Sequence, residues 1–456
     1  MSHPSFFIKT FGCQMNERDS EIMAQTLAEK GYVESMDMEN SDLVILNTCS
    51  IRAKAEQKVM SLLGMLRRAR KRRPSMRICV AGCVAEQEGA HLIERMPHVD
   101  LVLGTQNIYQ LTDLLAGLDQ AGKVATGLSP DYEIPAYIPV FPAAGTSPEP
   151  LFRKFLTIMQ GCNNFCSYCV VPHTRGREIS RKVKDIVAEA EALVQAGIKE
   201  ITLLGQNVNS YGMTNQVTED GSPFPFSLLL REIAQLSGLK RLRFTTSNPK
   251  DLSDDLMRCF SEIDILCHHF HLPVQSGSNL VLKQMNRKYT RELYFERVAS
   301  LRSYCPEIAL STDIIVGFPG ETDQDFEQTM DLLETVRFQG SFSFKYSDRP
   351  GTRSADFADK VDEDIKSRRL QRFQARQDEI SLEYNQKFID RQVEIMVEKI
   401  SPEGLIGRTG SNHIVHINNP ALPHCSPGDL VRVMINHGGP HSLRGELAGP
   451  AQEKRQ

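Results

Sequence analysis

Short apolar runs alternate with helical periodicities through the first part of the chain. Phe6-Phe7-Ile8-Lys9-Thr10-Phe11 predicts a strand ending at Gly12-Cys13, and a helix is expected over 19–30, stopped by Gly31. Leu43-Val44-Ile45-Leu46 predicts a second strand ending at Asn47-Thr48-Cys49, followed by a helix over 52–70. Arg77-Ile78-Cys79-Val80-Ala81 predicts a third, ending at Gly82-Cys83. Strand–helix alternation of this kind implies a parallel α/β sheet.

The middle of the chain repeats the unit. Strands are expected at 154–159, 200–204, 241–246, 266–273, 308–316 and 341–346. Between the first two, Val183, Ile186, Val187, Ala190, Leu193 and Val194 fall on one helical face, with Gly197 beyond the end. Six units fall short of the eight that close a full barrel, so a partial (β/α)6 barrel is expected. A helix over 360–388 then leads to strand-like alternation at 393–398, 414–417 and 430–435, which fits a small antiparallel β-barrel. The expected division is 1–118, a Pro-rich linker 119–150, a central domain 151–382, a small barrel 383–449 and a tail 450–456.

Composition changes this picture little. The apolar fraction of 41% and charged fraction of 24% are ordinary for a globular protein, and the net charge of −4 argues against a strongly basic nucleic-acid binder. The start lacks the basic and apolar regions of a signal peptide, and no run reaches the ~20 residues that span a bilayer. A cytoplasmic protein without a membrane role is expected, and its 11 cysteines are then not disulfides. One basic run, Arg67-Arg68-Ala69-Arg70-Lys71-Arg72-Arg73, is either a solvated helix end or a binding surface.

The cysteines carry the chemistry. Cys162, Cys166 and Cys169 stand at C-x3-C-x2-C just past a strand, and thiolates converging from one loop make a metal site. Two readings are open. Three thiolates on a four-iron cubane leave one iron free for a small chelating molecule, a catalytic arrangement. Alternatively, His173 closes a Cys3His zinc site, for which the loops are tight. Cys13, Cys49 and Cys83 each follow the carboxyl end of a strand, where open α/β sheets build their crevices. They read as a second three-ligand site or as scattered packing residues, while Cys79, inside its strand, reads as a buried small hydrophobe. The other strand-end loops are Gly205-Gln206-Asn207-Val208-Asn209, Ser247-Asn248-Pro249, Pro273-Val274-Gln275-Ser276-Gly277-Ser278 and Gly317-Phe318-Pro319-Gly320-Glu321, with Thr322 placed to cap the next helix. No Walker or dinucleotide glycine signature occurs.

Taken in order, these motifs resemble the methylthiotransferases of the radical-SAM superfamily. Thr10-Phe11-Gly12-Cys13-Gln14-Met15-Asn16, Leu46-Asn47-Thr48-Cys49 and Ala81-Gly82-Cys83-Val84-Ala85 are similar to their N-terminal domain. The cysteine loop through Val171-Pro172-His173-Thr174-Arg175-Gly176-Arg177, with Leu272–Ser278 and Thr312–Glu321, resembles their radical-SAM core, and the C-terminal part resembles a TRAM RNA-binding domain. The resemblance implies two 4Fe-4S clusters and S-adenosyl-L-methionine. Cys162, Cys166 and Cys169 would hold the cluster whose open iron binds that cofactor, and Cys13, Cys49 and Cys83 an auxiliary cluster that carries sulfur. Tyr168 would lie beside the adenine, with Gly205, Gln206, Asn207, Gln275, Gly317 and Gly320 as further cofactor contacts. Gly205-Gln206-Asn207 stands where the superfamily usually has Gly-Gly-Glu.

Within the group, Gly12-Cys13-Gln14-Met15-Asn16 most resembles members that methylthiolate C2 of N6-dimethylallyladenosine at position 37 of tRNA, next to the anticodon. An external electron donor and a sulfur source are implied as well. The rivals within the class act on threonylcarbamoyladenosine in tRNA or on a ribosomal-protein aspartate. Outside it stands a non-catalytic iron–sulfur RNA-binding protein. A modest charge argument favours RNA: Arg153, Lys154, Arg175, Arg177, Arg181 and Lys182 face only Glu178 within 151–182, and the Arg67–Arg73 run would extend that surface.

Overall fold

Six parallel strands form the first sheet: β1 Ser5–Thr10, β2 Val33–Glu34, β3 Leu43–Thr48, β4 Arg77–Gly82, β5 Leu101–Leu103 and β6 Lys123–Ala125, in the order β2-β1-β3-β4-β5-β6. The computed structural model describes residues 3–50, 53–118, 123–140, 151–418 and 425–448. Every residue of the central strand β3 is buried, which is why it reads as an unbroken apolar run. Its side chains alternate between two cores. Val44 and Leu46 pack with Val59, Leu63 and Leu66 of helix α2 (Ala53–Arg72). Leu43 and Ile45 pack with Ile22, Met23 and Leu27 of helix α1 (Gln14–Glu29). The two helices thus cover opposite faces.

α1 starts at Gln14, five residues before the apolar pattern begins, because its first turns bury polar groups: Asn16, Arg18 and Asp19 are each under 5% exposed. β6 falls among residues whose composition suggests a linker, yet it is the edge strand of this sheet, and 141–150 lie outside the described residues.

The central unit carries β7 Arg153–Thr157, a short antiparallel pair of β8 Met159–Gln160 with β9 Ile179–Ser180, and then β10 Glu200–Leu204, β11 Arg241–Phe244, β12 His269–His271, β13 Ala309–Val316 and β14 Gly340–Lys345. β7, β10 and β11 pair in parallel, as do β12, β13 and β14, and a parallel bridge from Leu242 to Leu266 joins the two groups. The result is a six-stranded arc with its helices outside, and among the described residues no pairing closes β14 onto β7. A long helix, Glu363–Gln386, packs beside β14 and buries Phe373 and Ile380 in the common core.

The last five strands, β15 Gln392–Ser401, β16 Gly404–Thr409, β17 Ile414–Ile417, β18 Leu430–Gly438 and β19 Leu443–Leu447, close a barrel in the order β15-β16-β17-β19-β18. All its pairs are antiparallel except β17 with β19. Ile395, Val397, Leu405, Val415, Val433 and Ile435 fill it. It docks on the amino ends of the central strands. At the start of β11, Arg241 donates to the Arg408 carbonyl (2.5 Å) and Arg243 to that of Thr409 (2.8 Å). Arg153 at the start of β7 pairs with Glu398 (2.6 Å), and Lys199 before β10 with Asp429 (2.9 Å). Among the described residues no helix is long and apolar enough to cross a membrane.

The first unit docks on the central one through charge. Glu189, fully buried, takes Arg18 from α1 on one oxygen and Arg181 (2.7 Å) on the other. Arg18 also stacks on Tyr137 (4.5 Å). A buried carboxylate between two buried guanidinium groups is held by its partners rather than by water. Replacing Glu189 by Gln leaves Arg181 uncompensated and Arg18 with only the half-buried Glu21 (3.4 Å), so the unfolding free energy of the folded chain should fall by about 3–5 kcal/mol. Urea unfolding followed by circular dichroism measures this, and a change below about 1 kcal/mol would mean the triad is solvent-screened.

Candidate active site

The Cys162–Cys169 loop leaves β8 at the carboxyl end of the strands and is fixed along its whole length. Gly161 has φ +80°, and a side chain there would collide with the backbone of Gly176 and Arg177, so only glycine lets the loop start. The Gly161 N–H donates to Gln206 Oε1 (2.5 Å) and the Cys162 N–H to the Gly176 carbonyl (3.1 Å). Ser167 donates from its backbone to Met285 (3.0 Å) and from its hydroxyl to Gln284 (2.8 Å), and Asn286 donates to the Phe165 carbonyl (2.8 Å). Two sulfurs already accept hydrogen bonds: Cys162 from Asn164 (3.3 Å) and Cys166 from Arg287 (3.3 Å). Burial pushes the Cys169 thiol up to about 12 and raises Cys162 too. A metal that displaces the protons would relieve that cost.

His173 is exposed on the short helix Val171–Thr174, and among the described residues no three His, Cys, Asp or Glu side chains gather around a single-ion position. His173 is thus the exposed member of that quartet, where Cys162 is buried and Cys166 and Cys169 are half-buried.

The expected cofactor contacts divide into two groups. Gly205, Gln206 and Asn207 lie at the end of β10 beside the cysteine loop. Gln206 clamps Gly161, and Asn207 donates to Ser210 (2.8 Å) and Asp251 (2.7 Å). A Cβ on Gly205 would run into Met159 of β8. Around them are buried polar atoms with no partner among the described residues: Gln160 Nε2, Asn207 Oδ1, Asn209 Oδ1 and Ser247 Oγ, from the ends of β8, β10 and β11. Unspent donors and acceptors at the ends of neighbouring strands fit a small polar ligand. Glu178 adds a carboxyl whose burial raises it to about 7.

The other group is already engaged within the protein. The Gly317 N–H is held by Glu321 (2.6 Å), and the space beside Gly317 is filled by Lys366 of the long helix. Gly320 donates to the Asp359 carbonyl (2.7 Å). Gln275, buried and at φ +74°, joins the sheet through backbone bonds with Asp313 and Ile315. Tyr168 is part-buried against Val281, Met285, Phe318 and Tyr346, which fixes its ring.

Cys13, Cys49 and Cys83 come together across the carboxyl ends of β1, β3 and β4. Cys13 is the N-cap of α1, and Cys83 opens the helix Cys83–Glu88. Gly12 (φ +113°) makes the approach possible, since a Cβ there would fall 2.6 Å from Cys49 Sγ. A hydrogen bond with Cys49 and the Arg175 charge, working against burial, lower the Cys13 thiol to about 6. Cys79 instead sits inside β4, fully buried in the α1-side core. All 11 cysteines are free thiols.

Of the charges read as a basic rim, four are tied up within the protein and two, Arg177 and Lys182, stay exposed. Arg175 and Arg181 are buried, and Arg153 and Lys154 pair with Glu398 and Glu21. Lys182 stands 3.8 Å from Glu133, and Arg177 stacks over exposed Phe165 (5.3 Å). The Arg67–Arg73 run closes α2, which starts just after Cys49 and so ends about 30 Å away, at the amino end of the strands, where Arg73 meets Asp42 just before β3. Two residues escaped sequence reasoning altogether: Arg287, on Cys166, and Asn16, which ties the Phe11 and Thr48 carbonyls (2.9 and 2.7 Å) beside Cys13 and Cys49. Neither has a spacing signal, although Asn16 stands in the Gly-Cys-Gln-Met-Asn stretch.

Comparison with known proteins agrees with this architecture. Residues 5–104 match the uncharacterized protein family UPF0004, and residues 156–333 match the radical SAM superfamily. A radical S-adenosylmethionine methyltransferase from Kitasatospora setae, TsrM, shares the fold with a TM-score of 0.55 at 16% identity, over 78% of this chain and 77% of that one. A tRNA-2-methylthio-N(6)-dimethylallyladenosine synthase from Desulfotalea psychrophila is 61% identical over 98% of this chain and 99% of its own. One from Geobacter metallireducens is 46% identical over 97% and 98%. With identity at this level along nearly its whole length, the chain belongs to the family of tRNA-2-methylthio-N(6)-dimethylallyladenosine synthases.

Proposed function

We propose that the protein adds a methylthio group to C2 of N6-dimethylallyladenosine at position 37 of tRNA, using S-adenosylmethionine and two 4Fe-4S clusters. Its superfamily implies one such cluster and S-adenosylmethionine. The observation that carries the rest is that two sets of three cysteines, each one ligand short of a cubane, lie on either side of one loop: Gly176 holds Cys162 by its carbonyl while its neighbour Arg175 reaches the Cys13 and Cys83 side.

When bound, these groups supply one-electron activation of an inert C–H bond, the sulfur and the methyl group, which acid–base side chains alone do not. In this reading Cys162, Cys166 and Cys169 hold the first cluster, and Cys13, Cys49 and Cys83 the auxiliary one. Tyr168 flanks the adenine of the cofactor. Gln160, Asn207, Asn209 and Ser247 would offer it their free polar atoms, with Gly205 beside them, while Gln206 keeps the cysteine loop in register. Gln275, Gly317 and Gly320 would be cofactor contacts from the far wall, on loops that their backbone bonds hold. The substrate adenine enters unstacked from an RNA loop, the usual route to chemistry on a base, and exposed Arg177 on Phe165 offers it a stacking surface. The first sheet including β6, the central arc and the small barrel are the working domains. The protein acts in the cytoplasm and draws electrons and sulfur from outside partners.

Anaerobically reconstituted protein should hold about eight irons per chain, and the variant with Cys162, Cys166 and Cys169 all changed to Ala about four. Complete loss of iron in that variant would contradict two separate sites. Cys79→Ala should keep the auxiliary iron and Cys83→Ala should lose it, as read by iron analysis and electron paramagnetic resonance. Mass spectrometry of digested tRNA from cells lacking the protein should show dimethylallyladenosine without its methylthio group, while the ribosomal protein stays unchanged. The reverse pattern would refute the substrate.

A further inference from the structure

We propose that Arg175 is a positioning residue for the auxiliary cluster: its buried guanidinium, delivered by the loop that carries Cys162, Cys166 and Cys169, donates to the sulfurs at Cys13 and Cys83. This rests on the reading of Cys13, Cys49 and Cys83 as cluster ligands.

Arg175 belongs in sequence to the central unit, six residues after Cys169, but its head lies in the first unit and is 3% exposed. One nitrogen, Nη2, is fully used, donating to Asn16 Oδ1 (2.9 Å) and Asp19 Oδ2 (2.6 Å). The other, Nη1, is buried and has no partner among the described residues. A buried N–H left unpaired is costly, and guanidinium is the side chain whose fork can serve two directions at once. Sulfur stands close by: Cys13 Sγ shares the Asn16 Oδ1 acceptor with Arg175 Nη2 (3.7 and 2.9 Å), and the helix that Cys83 opens packs on the short helix Val171–Thr174 just before Arg175. Asn16 and Asp19 orient the fork from behind, and Asn16 is itself tied to the backbone next to Cys13 and Cys49.

A parallel exists at the first set, where Arg287 Nη1 donates to Cys166 Sγ (3.3 Å) while its other nitrogens hold Tyr289 and Pro273. Hydrogen bonds and positive charge at cluster sulfurs stabilise the reduced, more negative state and so raise its potential. Arg175 thereby links the two sites through one short piece of backbone, since the next residue, Gly176, holds the Cys162 N–H.

The test uses the full chain with Cys162, Cys166 and Cys169 changed to Ala, so that only the auxiliary cluster forms. About four irons must be present in this background; their absence would fail the ligand assignment, not the role of Arg175. In the same background, Arg175→Gln should shift the midpoint potential downward in a redox titration. It should also remove a strongly coupled exchangeable proton and a weak nitrogen coupling from the pulsed resonance spectrum of the reduced cluster. Arg175→Lys should recover part of the potential.

Because Arg175→Gln strands Asp19, the pair Asp19→Asn with Arg175→Gln is compared with Asp19→Asn alone. A lower potential, or loss of iron from the folded double variant only, supports the contact. An unchanged potential with unchanged couplings at full iron overturns it.

Discussion

Buried charge at the junction of the first two units is the constraint on which the rest of the site depends. Glu189 binds Arg18 and Arg181, and Asp19 binds Arg175, all five charged groups being nearly sealed from water. Such pairs contribute little net stability over apolar packing, since desolvation offsets much of the attraction. Their effect is directional. A carboxylate placed between two guanidinium groups tolerates almost no sliding of one unit on the other, whereas an oily interface would allow it. The junction is therefore specified in orientation, which a site assembled from loops of two units requires.

Each cysteine set uses the same local device in a different setting. A glycine with positive φ precedes Cys13, Cys83 and Cys162, turning the chain sharply out of a strand so that the next side chain faces inward. In the first unit the three cysteines come from three strand ends far apart in sequence, and the parallel sheet aligns them. In the central unit they come from one loop, and neighbouring segments must hold it: Gln206, Met285, Asn286 and Ser354 each bond it. The first set gains rigidity from the sheet and the second from its surroundings.

Much of this was legible in the chain. Apolar runs such as 43–46 mark buried parallel strands directly, and the cysteines that follow strand ends stand out by position. Strands of two or three residues, β2, β5 and β6, carry no period to read, so the first sheet is twice as wide as the pattern suggests. Charge misled more than apolarity did. Arg175 and Arg181 look like surface residues because the acids that neutralise them do not stand out locally; Asp19 lies 156 residues from Arg175. The polar start of α1 escaped for the same reason, since it is buried by another unit rather than by its own sheet.

The docking of the small barrel on the amino ends of the central strands has a consequence for scale. The cysteine loops open at the carboxyl ends, so the two surfaces are separated by the full height of the arc. For the eight residues of β13 that height is about 26 Å. A molecule touched by both must run along the outside of the molecule like a cord past a post. Short fragments that fill only the catalytic mouth would never feel the barrel. For any ligand long enough to span both, reach counts for more than local affinity.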